Sequence, residues 1–299
     1  MTEAPEHRAP VTVASLVCHR DAAMAVTCLG SLLDCCRQPL RFRIHDDGSL
    51  TAADRAEISE RLGAVEFIDR KEADARMAAR LADFPRCQKM REHEIYALKL
   101  FDVPLIGQEE NIAYCDSDIL FLRPFDGLFT WPDAATGCLF MRDRQEAYSI
   151  RPWHLLPGSG ICLPRRFNAG FFFLRRSRYD LSVFEDFVAR DCPVFQQLGQ
   201  WLEQTCWAQL AMRIGGRFWN ERQISTVRSE ASLTPELVAG HFISPVRGLL
   251  PAAQGRIRLD LPAVQITTEE MPRLGPLQLG IDTLERYLRT RHPGRFGNC

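Results

Sequence analysis

The chain has 299 residues, with an apolar fraction of 46%, a charged fraction of 25% and a formal net charge of −1. This composition is typical of a soluble globular protein, and the balanced charge argues against nucleic acid or an anionic membrane as a partner. No apolar run is long enough for a membrane-spanning helix, and the polar first ten residues contain no signal-peptide core. The 11 cysteines are irregularly spaced without a Cys-x-x-Cys pair. We therefore expect a cytoplasmic protein with free, mostly buried thiols and no structural zinc site.

The first 110 residues alternate between predicted strands and predicted helices. Thr51 and Asp54 have the spacing of a capping box, and Asp21 stands where it can cap an earlier helix. The predicted strands cover residues 11–17, 41–45 and 65–68, and the predicted helices cover residues 22–36, 51–62 and 88–101. This alternation predicts a parallel sheet with helices on both faces, in which ligands bind beyond the carboxyl ends of the strands.

An apolar run over residues 111–122 carries Asp116, Ser117 and Asp118 in its middle. The run predicts a buried strand, where carboxylates are costly unless they are paired or bound to a cation. Residues i and i+2 of a strand share a face, so we expect Asp116 and Asp118 to converge on one divalent cation that holds a diphosphate. The alternative is a solvated turn, because Asp-x-Asp is common, but the apolar flanks favour a buried strand end.

Two earlier predicted strands also end in polar residues, Cys18-His19-Arg20 and Asp46-Asp47-Gly48-Ser49. Since the carboxyl ends of parallel strands meet at one edge of a sheet, these segments should lie beside the Asp116–Asp118 pair. Asp46 or Asp47 could then accept hydrogen bonds from a nucleobase or ribose. The alternative is that Asp-Gly-Ser only forms a turn.

The second half of the chain is less regular. The expected strands cover residues 137–141, 171–174, 223–227 and 238–243, the expected helices cover residues 181–189, 200–214 and 281–289, and residues 151–166 are expected to form a loop. Neither an internal repeat nor a linker composition is evident. The simplest division is one domain over residues 11–250, with a C-terminal extension over 251–299 packed on or near it.

Six short motifs follow one another in a fixed order. They are Tyr96–Leu100, Tyr114–Leu120, Asp126–Phe129, Phe167–Gly170, Glu203–Thr205 and His241–Phe242. Together they resemble the motifs of nucleotide-sugar glycosyltransferases of the GT-A fold, closest to glycosyltransferase family 8, which includes glycogenin and lipopolysaccharide galactosyl- and glucosyltransferases. The resemblance covers roughly residues 11–250. It implies an α/β protein of the GT-A fold, with a mostly parallel, Rossmann-like central sheet and helices on both faces.

The resemblance also implies roles for individual side chains. The implied metal ligands are Asp116, Asp118 and His241; the implied donor-binding residues are Lys99, Asp116, Ser117 and Arg247, to which the strand-end argument adds Asp46 and Asp47; and the implied catalytic residues are Gln204, Glu203 and Asn168. A metal on two carboxylates and one imidazole would neutralise the charge that develops on a nucleotide-diphosphate leaving group. Imidazole beside carboxylates favours Mn²⁺ over Mg²⁺.

Several positions depart from the family pattern. The Cys18-His19-Arg20 loop lacks the family's usual small and acidic residues, and Asp46-Asp47-Gly48-Ser49 resembles instead the large inverting family of the same fold. Arg247 stands where the family has a lysine, and Glu203 is one carbon longer than the family's aspartate. Arginine still offers a charged fork for phosphate. The implied activity is metal-dependent transfer of a hexose from a nucleotide-diphosphate sugar, a UDP-sugar above all, with retention of configuration. The acceptor is an unspecified glycan, lipid, protein or small molecule.

Other functions remain open. A non-catalytic module of the same fold could bind nucleotide-sugar or a partner without turnover. An Asp-x-Asp phosphatase is disfavoured because its pair belongs on the first strand, and a nucleotidyltransferase because no Gly-rich basic loop follows the first strand. A group of arginines forms either a solvated rim or a site for an anionic acceptor: Arg165, Arg166, Arg175, Arg176 and Arg178.

Overall fold

The computed structural model of the chain describes residues 9–150, 160–189 and 199–275, together with 277–278 and 280–281. Its strands are β1 (Val11–Val17), β2 (Leu40–Asp46), β3 (Val65–Ile68), β4 (Asn111–Cys115), β5 (Ile119–Phe121), β6 (Phe125–Asp126), β7 (Cys138–Arg142), β8 (Phe167–Arg175), β9 (Gly216–Trp219), β10 (Ile224–Thr226), β11 (Ala239–His241), β12 (Val264–Gln265) and β13 (Thr268–Glu270). Its helices are α1 (Ala22–Cys35), α2 (Ala52–Leu62), α3 (Arg70–Arg80), α4 (Pro85–His93), α5 (Ala97–Ile106), α6 (Leu181–Ala189), α7 (Gly199–Arg213) and α8 (Leu250–Gln254).

One large sheet runs in the order β3-β2-β1-β4-β8-β7-β10-β11-β5, with β9 joined to β7 and β13 joined to β9. The strands from β3 to β4 are parallel, as are β7, β9, β10 and β11 where they pair. Strand β8 is antiparallel to both of its neighbours. The expected mostly parallel α/β sheet is thus confirmed.

Alternation along the strands divides the core between the two faces of the sheet. On β8, Phe171 and Phe173 pack with residues of α1 and α2, whereas Phe172 and Leu174 pack with residues of α3 to α7. A strand that is buried on both faces has to be apolar throughout, which explains the continuous run of phenylalanines. The covering by helices on both faces is therefore confirmed.

Local signals located several elements correctly. The capping box at α2 is complete, because the Asp54 amide donates to Thr51 Oγ1 at 3.2 Å and the Thr51 amide donates to Asp54 Oδ2 at 2.7 Å. Asp21 precedes α1, but its side chain makes no capping hydrogen bond. The helix predicted over residues 88–101 is wrong. It is two helices, α4 and α5, because the backbone of Glu94 is extended and ends the first.

The single strand predicted through Asp116–Asp118 is also wrong. Strand β4 ends at Cys115, the chain turns over residues 116–118, and β5 continues beside a different neighbour, β11. The two aspartates therefore converge because of a turn and not because of strand periodicity. Their position at the end of a buried strand is as expected.

Part of the predicted C-terminal extension pairs with strands of the domain: β13 joins the large sheet, and β12 forms a separate two-stranded sheet with β6. Strand β12 pairs with β6, strand β13 pairs with β9, and Ile266 between them is buried. The predicted loop over 151–166 and the predicted helix over 281–289 fall mostly outside the described residues. Within the described part of the chain, no helix combines the length and apolarity needed to cross a membrane. Nine cysteines lie in that part as free thiols, and six of them are buried.

Candidate active site

A cavity of about 480 Å³ opens at the edge of the sheet where β1 and β4 end. Ten of the eleven residues that the sequence analysis assigned to a site line this cavity. They are Asp47, Lys99, Asp116, Ser117, Asp118, Asn168, Glu203, Gln204, His241 and Arg247. The motifs that lie far apart in the chain are thus brought to one place.

Asp116, Asp118 and His241 form the acidic centre of the cavity. His241 ends strand β11, which pairs with β5, so the sheet register brings its ring to the turn that precedes β5. His241 Nε2 lies 3.0 Å from Asp118 Oδ1 and 3.8 Å from Asp116 Oδ2. One ligand atom from each residue lies within 4.8 Å of the others. Two carboxylates and one imidazole in this arrangement can hold a divalent cation.

Both buried members of this centre have shifted pKa values. Burial would raise the pKa of Asp118, but His241 and Arg247 outweigh it and hold the pKa below its usual range. Burial would lower the pKa of His241, but Asp118 and Asp116 outweigh it and the pKa is raised. The Asp118 carboxylate is therefore ionised and available as an acceptor or ligand.

Arg247 crosses the cavity between the ends of two strands. Its Nη2 and Nε donate to Asp118 Oδ2 at 2.8 and 3.2 Å, and its Nη1 reaches Asp21 Oδ1 at 3.3 Å. Asp21 lies in the turn after β1 and also lines the cavity. The guanidinium thus neutralises carboxylates from two separate segments of the chain.

Lys99 lies beneath the other aspartate of the pair. The buried Lys99 Nζ is 3.7 Å from Asp116 Oδ1 and 3.3 Å from Glu203 Oε1. Tyr114 donates its hydroxyl to Asp116 Oδ1 at 2.6 Å, and Lys99 Nζ lies 5.3 Å from the centre of that tyrosine ring. Burial opposes the charge on Lys99, but Asp116 and Glu203 outweigh it and raise the lysine pKa. Burial raises the pKa of Glu203 to about 7.

Gly170 explains how the His241 ring fits. A Cβ atom at Gly170 would lie 2.5 Å from His241 Cε1 and 2.9 Å from Asn168 Oδ1, so only glycine leaves room for both side chains. Asn168 accepts a hydrogen bond from the Gly170 amide at 2.8 Å and donates from Nδ2 to Asp143 Oδ2 at 3.0 Å. The Phe-Asn-Ala-Gly motif therefore packs the wall of the cavity and fixes Asp143.

Gln204 is fixed at one end of its amide. Its Nε2 donates to the Ala147 carbonyl oxygen at 2.8 Å. This hydrogen bond identifies which end of the amide is nitrogen, and Oε1 is the opposite end. Gln204 and the neighbouring Glu203 both line the cavity, although only 2% of Glu203 is exposed. The amide is thereby held in place beside the acidic centre.

No protein-family model and no curated protein matches the sequence. Solved structures match the fold. The galactosyltransferase LgtC, solved with donor and acceptor sugar analogues, has a TM-score of 0.56 at 18% identity, over 84% of this chain and 98% of that chain. Mouse xyloside xylosyltransferase 1 has a TM-score of 0.57 at 12% identity, over 80% and 99%. The glycosyltransferase GlyE of Streptococcus pneumoniae has a TM-score of 0.51 at 11% identity, over 94% and 64%.

The chain has the GT-A glycosyltransferase fold. The expected fold class and the resemblance to family 8 transferases are thereby confirmed, while identities of 11–18% carry the likeness no further than the fold. The acidic turn after β4 lies where open α/β sheets bind their ligands, at the carboxyl ends of the strands.

Asp46 is the one predicted site residue that the GT-A sheet does not bring to the cavity. Its Oδ1 accepts hydrogen bonds from the amides of Gly48 at 2.7 Å and Leu50 at 3.1 Å, and Oδ2 contacts Arg55 at 2.8 Å. All of its partners are local, so the turn interpretation applies to Asp46. Asp47 lines the cavity, although its Oδ1 accepts from the Ser49 amide and hydroxyl.

Four of the five arginines in the group are held by contacts within the described residues. Arg166 makes two hydrogen bonds to Glu221, Arg165 faces Glu146 at 3.8 Å, and Arg176 donates to the carbonyl oxygens of Pro104 and Glu109. Arg175 stacks over the Trp131 ring at 4.3 Å. These contacts support the interpretation as a structural rim.

The polar cavity residues that the sequence analysis did not assign to the site include Asp21, Tyr114 and Asp143. Tyr114 precedes Asp116 by two positions, and Asp143 directly follows β7, as Asp116 follows β4. The same strand-end argument that selected Asp116 would have selected Asp143. No sequence signal pairs Asp21 with Arg247, because 226 positions separate them.

Proposed function

We propose that this GT-A domain is a metal-dependent glycosyltransferase that moves a hexose from a nucleotide-diphosphate sugar, with UDP-sugar as the donor class, to an acceptor with retention of configuration. One observation carries the proposal: Asp116, Asp118 and His241 meet in a cavity that also holds the cations Lys99 and Arg247. Carboxylates and imidazole suit a divalent metal, and the cations suit a diphosphate. The neighbour LgtC, of the same fold, was solved with donor and acceptor sugar analogues.

The donor atoms fit Mn²⁺ or Mg²⁺. Hard carboxylate oxygens suit both ions, and the imidazole of His241 favours Mn²⁺. His241 presents Nε2 to the carboxylates, while its buried Nδ1 has no hydrogen-bond partner within the described residues. When bound, the ion would supply charge stabilisation to the diphosphate leaving group.

The two cations have different roles in this proposal. Arg247 lies 33% exposed at the cavity and can present a planar fork to phosphate oxygens. Lys99 is buried between Asp116 and Glu203, and so it balances the acidic cluster that underlies the donor sugar. Ser117, between the two aspartates, and Asp47 complete the donor-binding set that we propose.

Gln204 is the residue that we propose to face the anomeric centre. Its amide nitrogen is held by the Ala147 carbonyl, so the electron-rich amide oxygen is the end available to an oxocarbenium-like centre. Glu203 and Asn168 support the same wall. Glu203 lies behind Gln204 with its charge opposed by Lys99, and Asn168 holds Asp143.

The first test is calorimetric titration of UDP into the protein with and without Mn²⁺. We expect binding that requires the metal and is lost in Asp118→Ala, whereas the matched variant Asp46→Ala, outside the cavity, retains it. Metal-independent binding, or equal loss in both variants, would refute the metal–diphosphate assignment. Hydrolysis of a panel of nucleotide sugars, with the product anomer read by NMR, then tests turnover and retention.

A second candidate is a binding module of the same fold without turnover. The observation that favours it is the burial of Glu203, whose carboxylate is shielded by Lys99 instead of facing the cavity freely. Tight, metal-dependent UDP binding together with absence of donor hydrolysis and of transfer to any sugar acceptor would select this alternative.

A further inference from the structure

The carboxylate of Asp118 is shared between two kinds of partner. Its Oδ1 faces His241 Nε2 at 3.0 Å, on the side where a metal ion would bind. Its Oδ2 receives two hydrogen bonds from Arg247, from Nη2 at 2.8 Å and from Nε at 3.2 Å. Only 5% of Asp118 is exposed, so both side chains contact a buried carboxylate. Arg247 therefore neutralises the same charge on which a cation would depend.

Arg247 lies on a partly exposed turn, where its side chain is free to rotate. Arg247 is on a short 3₁₀ turn, Ser244–Leu249, and its hydrogen bonds within the described residues go only to Asp118 and Asp21. About a third of its side chain is exposed to the cavity. None of the residues of this turn is buried, so a rotation of the Arg247 side chain can leave the buried core in place. It would carry the charge from two carboxylates to a ligand in the cavity.

A diphosphate is the ligand that would draw the guanidinium away. Phosphate oxygens accept two parallel hydrogen bonds from arginine, as carboxylates do, and a diphosphate carries more charge than the Asp118 carboxylate. The lysine that the family has at this position carries a compact ammonium without a fork. Arginine can hold Asp118 by two N–H groups and reach Asp21 by a third, which makes the competition specific to this chain.

We propose that Arg247 is a resident counter-ion that couples metal binding to nucleotide binding: it competes with the metal for Asp118, and the diphosphate removes it. The inference rests on the proposed function. The two ligands bind with positive cooperativity, and linkage makes the effect equal in both directions. Arg247 acts here as a positioning residue, because it sets the charge on a metal ligand as well as meeting the donor.

The test measures Mn²⁺ affinity from the free-ion signal in electron paramagnetic resonance, with and without UDP. In wild-type protein we expect UDP to raise Mn²⁺ affinity strongly. In Arg247→Gln we expect Mn²⁺ alone to bind about 10-fold tighter than in wild type, and UDP to raise that affinity much less, because the competing charge is gone. Arg247→Lys should lie between the two, and it retains the charge if the glutamine variant is poorly folded.

Arg20→Ala is the matched control. Arg20 also lines the cavity and pairs with Asp21 at 3.2 Å, but it has no contact with Asp118. Removal of this charge should raise Mn²⁺ affinity by less than 2-fold or so if specific competition governs the effect. An equal increase in Arg20→Ala and Arg247→Gln would overturn the inference in favour of general electrostatics.

The outcomes separate this inference from the proposed function. If Mn²⁺ binds wild type through Asp118 but the affinity without nucleotide is unchanged or weaker in Arg247→Gln and Arg247→Lys, the inference fails and the proposed function stands. If Mn²⁺ binds neither wild type nor variants, with or without UDP, both fail.

Discussion

The turn after β2 and the turn after β4 both carry two aspartates, and they lie on either side of β1 at the same edge of the sheet. In the first turn, Asp46 is bonded by the amides of Gly48 and Leu50 and by Arg55, all within nine positions along the chain. Both oxygens of this carboxylate are therefore bonded to groups of its own loop and of the following helix. Asp46 thus has a structural role, whereas the neighbouring Asp47 lines the cavity.

In the second turn, the carboxylates meet side chains from distant parts of the chain. Asp118 contacts His241 and Arg247, and Asp116 contacts Lys99. These partners are brought by β11, by the turn that follows it and by α5. An acidic turn thus becomes a candidate site when its partners are remote side chains and not its own backbone amides.

The largest effect is expected when the same substitution, aspartate to asparagine, is made separately in each of the two turns. Asp118→Asn should weaken Mn²⁺-dependent UDP binding roughly 1,000-fold, which is about 4 kcal/mol. Asp46→Asn should leave that affinity unchanged but lower the free energy of unfolding by about 2 kcal/mol, because a charged acceptor of two amides and Arg55 is lost. Calorimetry and urea unfolding measure the two effects. Loss of UDP affinity in both variants would contradict the distinction.

Substitution of Lys99 tests whether its buried charge stabilises Asp116 in the second turn. Lys99→Met leaves Asp116 and Glu203 without their buried cation, so we expect unfolding to become easier by about 3 kcal/mol. Glu203→Gln removes one of the two carboxylates, and the double variant should recover part of the loss. Urea unfolding of wild type, both single variants and the double variant measures the coupling. Simply additive effects would show that the two side chains do not interact.

A substitution at Gly170 tests whether the position of the His241 ring matters for metal binding. In Gly170→Ala the new methyl group would press on the imidazole, 2.5 Å from Cε1 and 2.8 Å from Nδ1. Displacement of the ring should weaken Mn²⁺ binding about 30-fold, or roughly 2 kcal/mol, in the same resonance titration. Gly248→Ala is the control, because a Cβ there meets no atom within 4 Å. Equal metal affinity in the two variants would exclude a tightly placed imidazole.

His45, on β2 directly before the first turn, gives the smallest effect near neutral pH. Burial, with Arg43 and Arg76 nearby, lowers its pKa to about 3, and neither ring nitrogen has a hydrogen-bond partner within the described residues. Below pH 6.5, His45 binds a proton in the unfolded chain but stays neutral in the folded chain. Stability should therefore fall by about 1.4 kcal/mol for each pH unit between 6.5 and 3.

The His45 prediction is checked by urea unfolding of wild type and His45→Phe at pH 7, 6 and 5. The phenylalanine variant loses no hydrogen bond and cannot titrate, so the difference in unfolding free energy between the two proteins should grow as the pH falls. A difference that is constant with pH would mean that His45 binds a proton equally well in the folded and in the unfolded chain.

Local sequence signals determined most of the elements. Apolar runs located β1 and β3 at their observed bounds, and Thr51 with Asp54 located the start of α2, because strand burial and helix capping depend on residues close in sequence. The family motifs and the strand-end argument together indicated ten of the residues that line the cavity. The break at Glu94 between α4 and α5 was not predicted, because the helical sequence pattern continues across it.

Tertiary structure alone decided which acidic residues belong to the site. Asp46 ends β2 and Asp118 lies just beyond β4, so a position at a strand end does not by itself separate the two aspartates. The sheet register places His241 opposite Ile119, and the turn that follows brings Arg247 to Asp118 and Asp21. A carboxylate's function depends on the charges that surround it in space, and those charges come from residues more than 100 positions away.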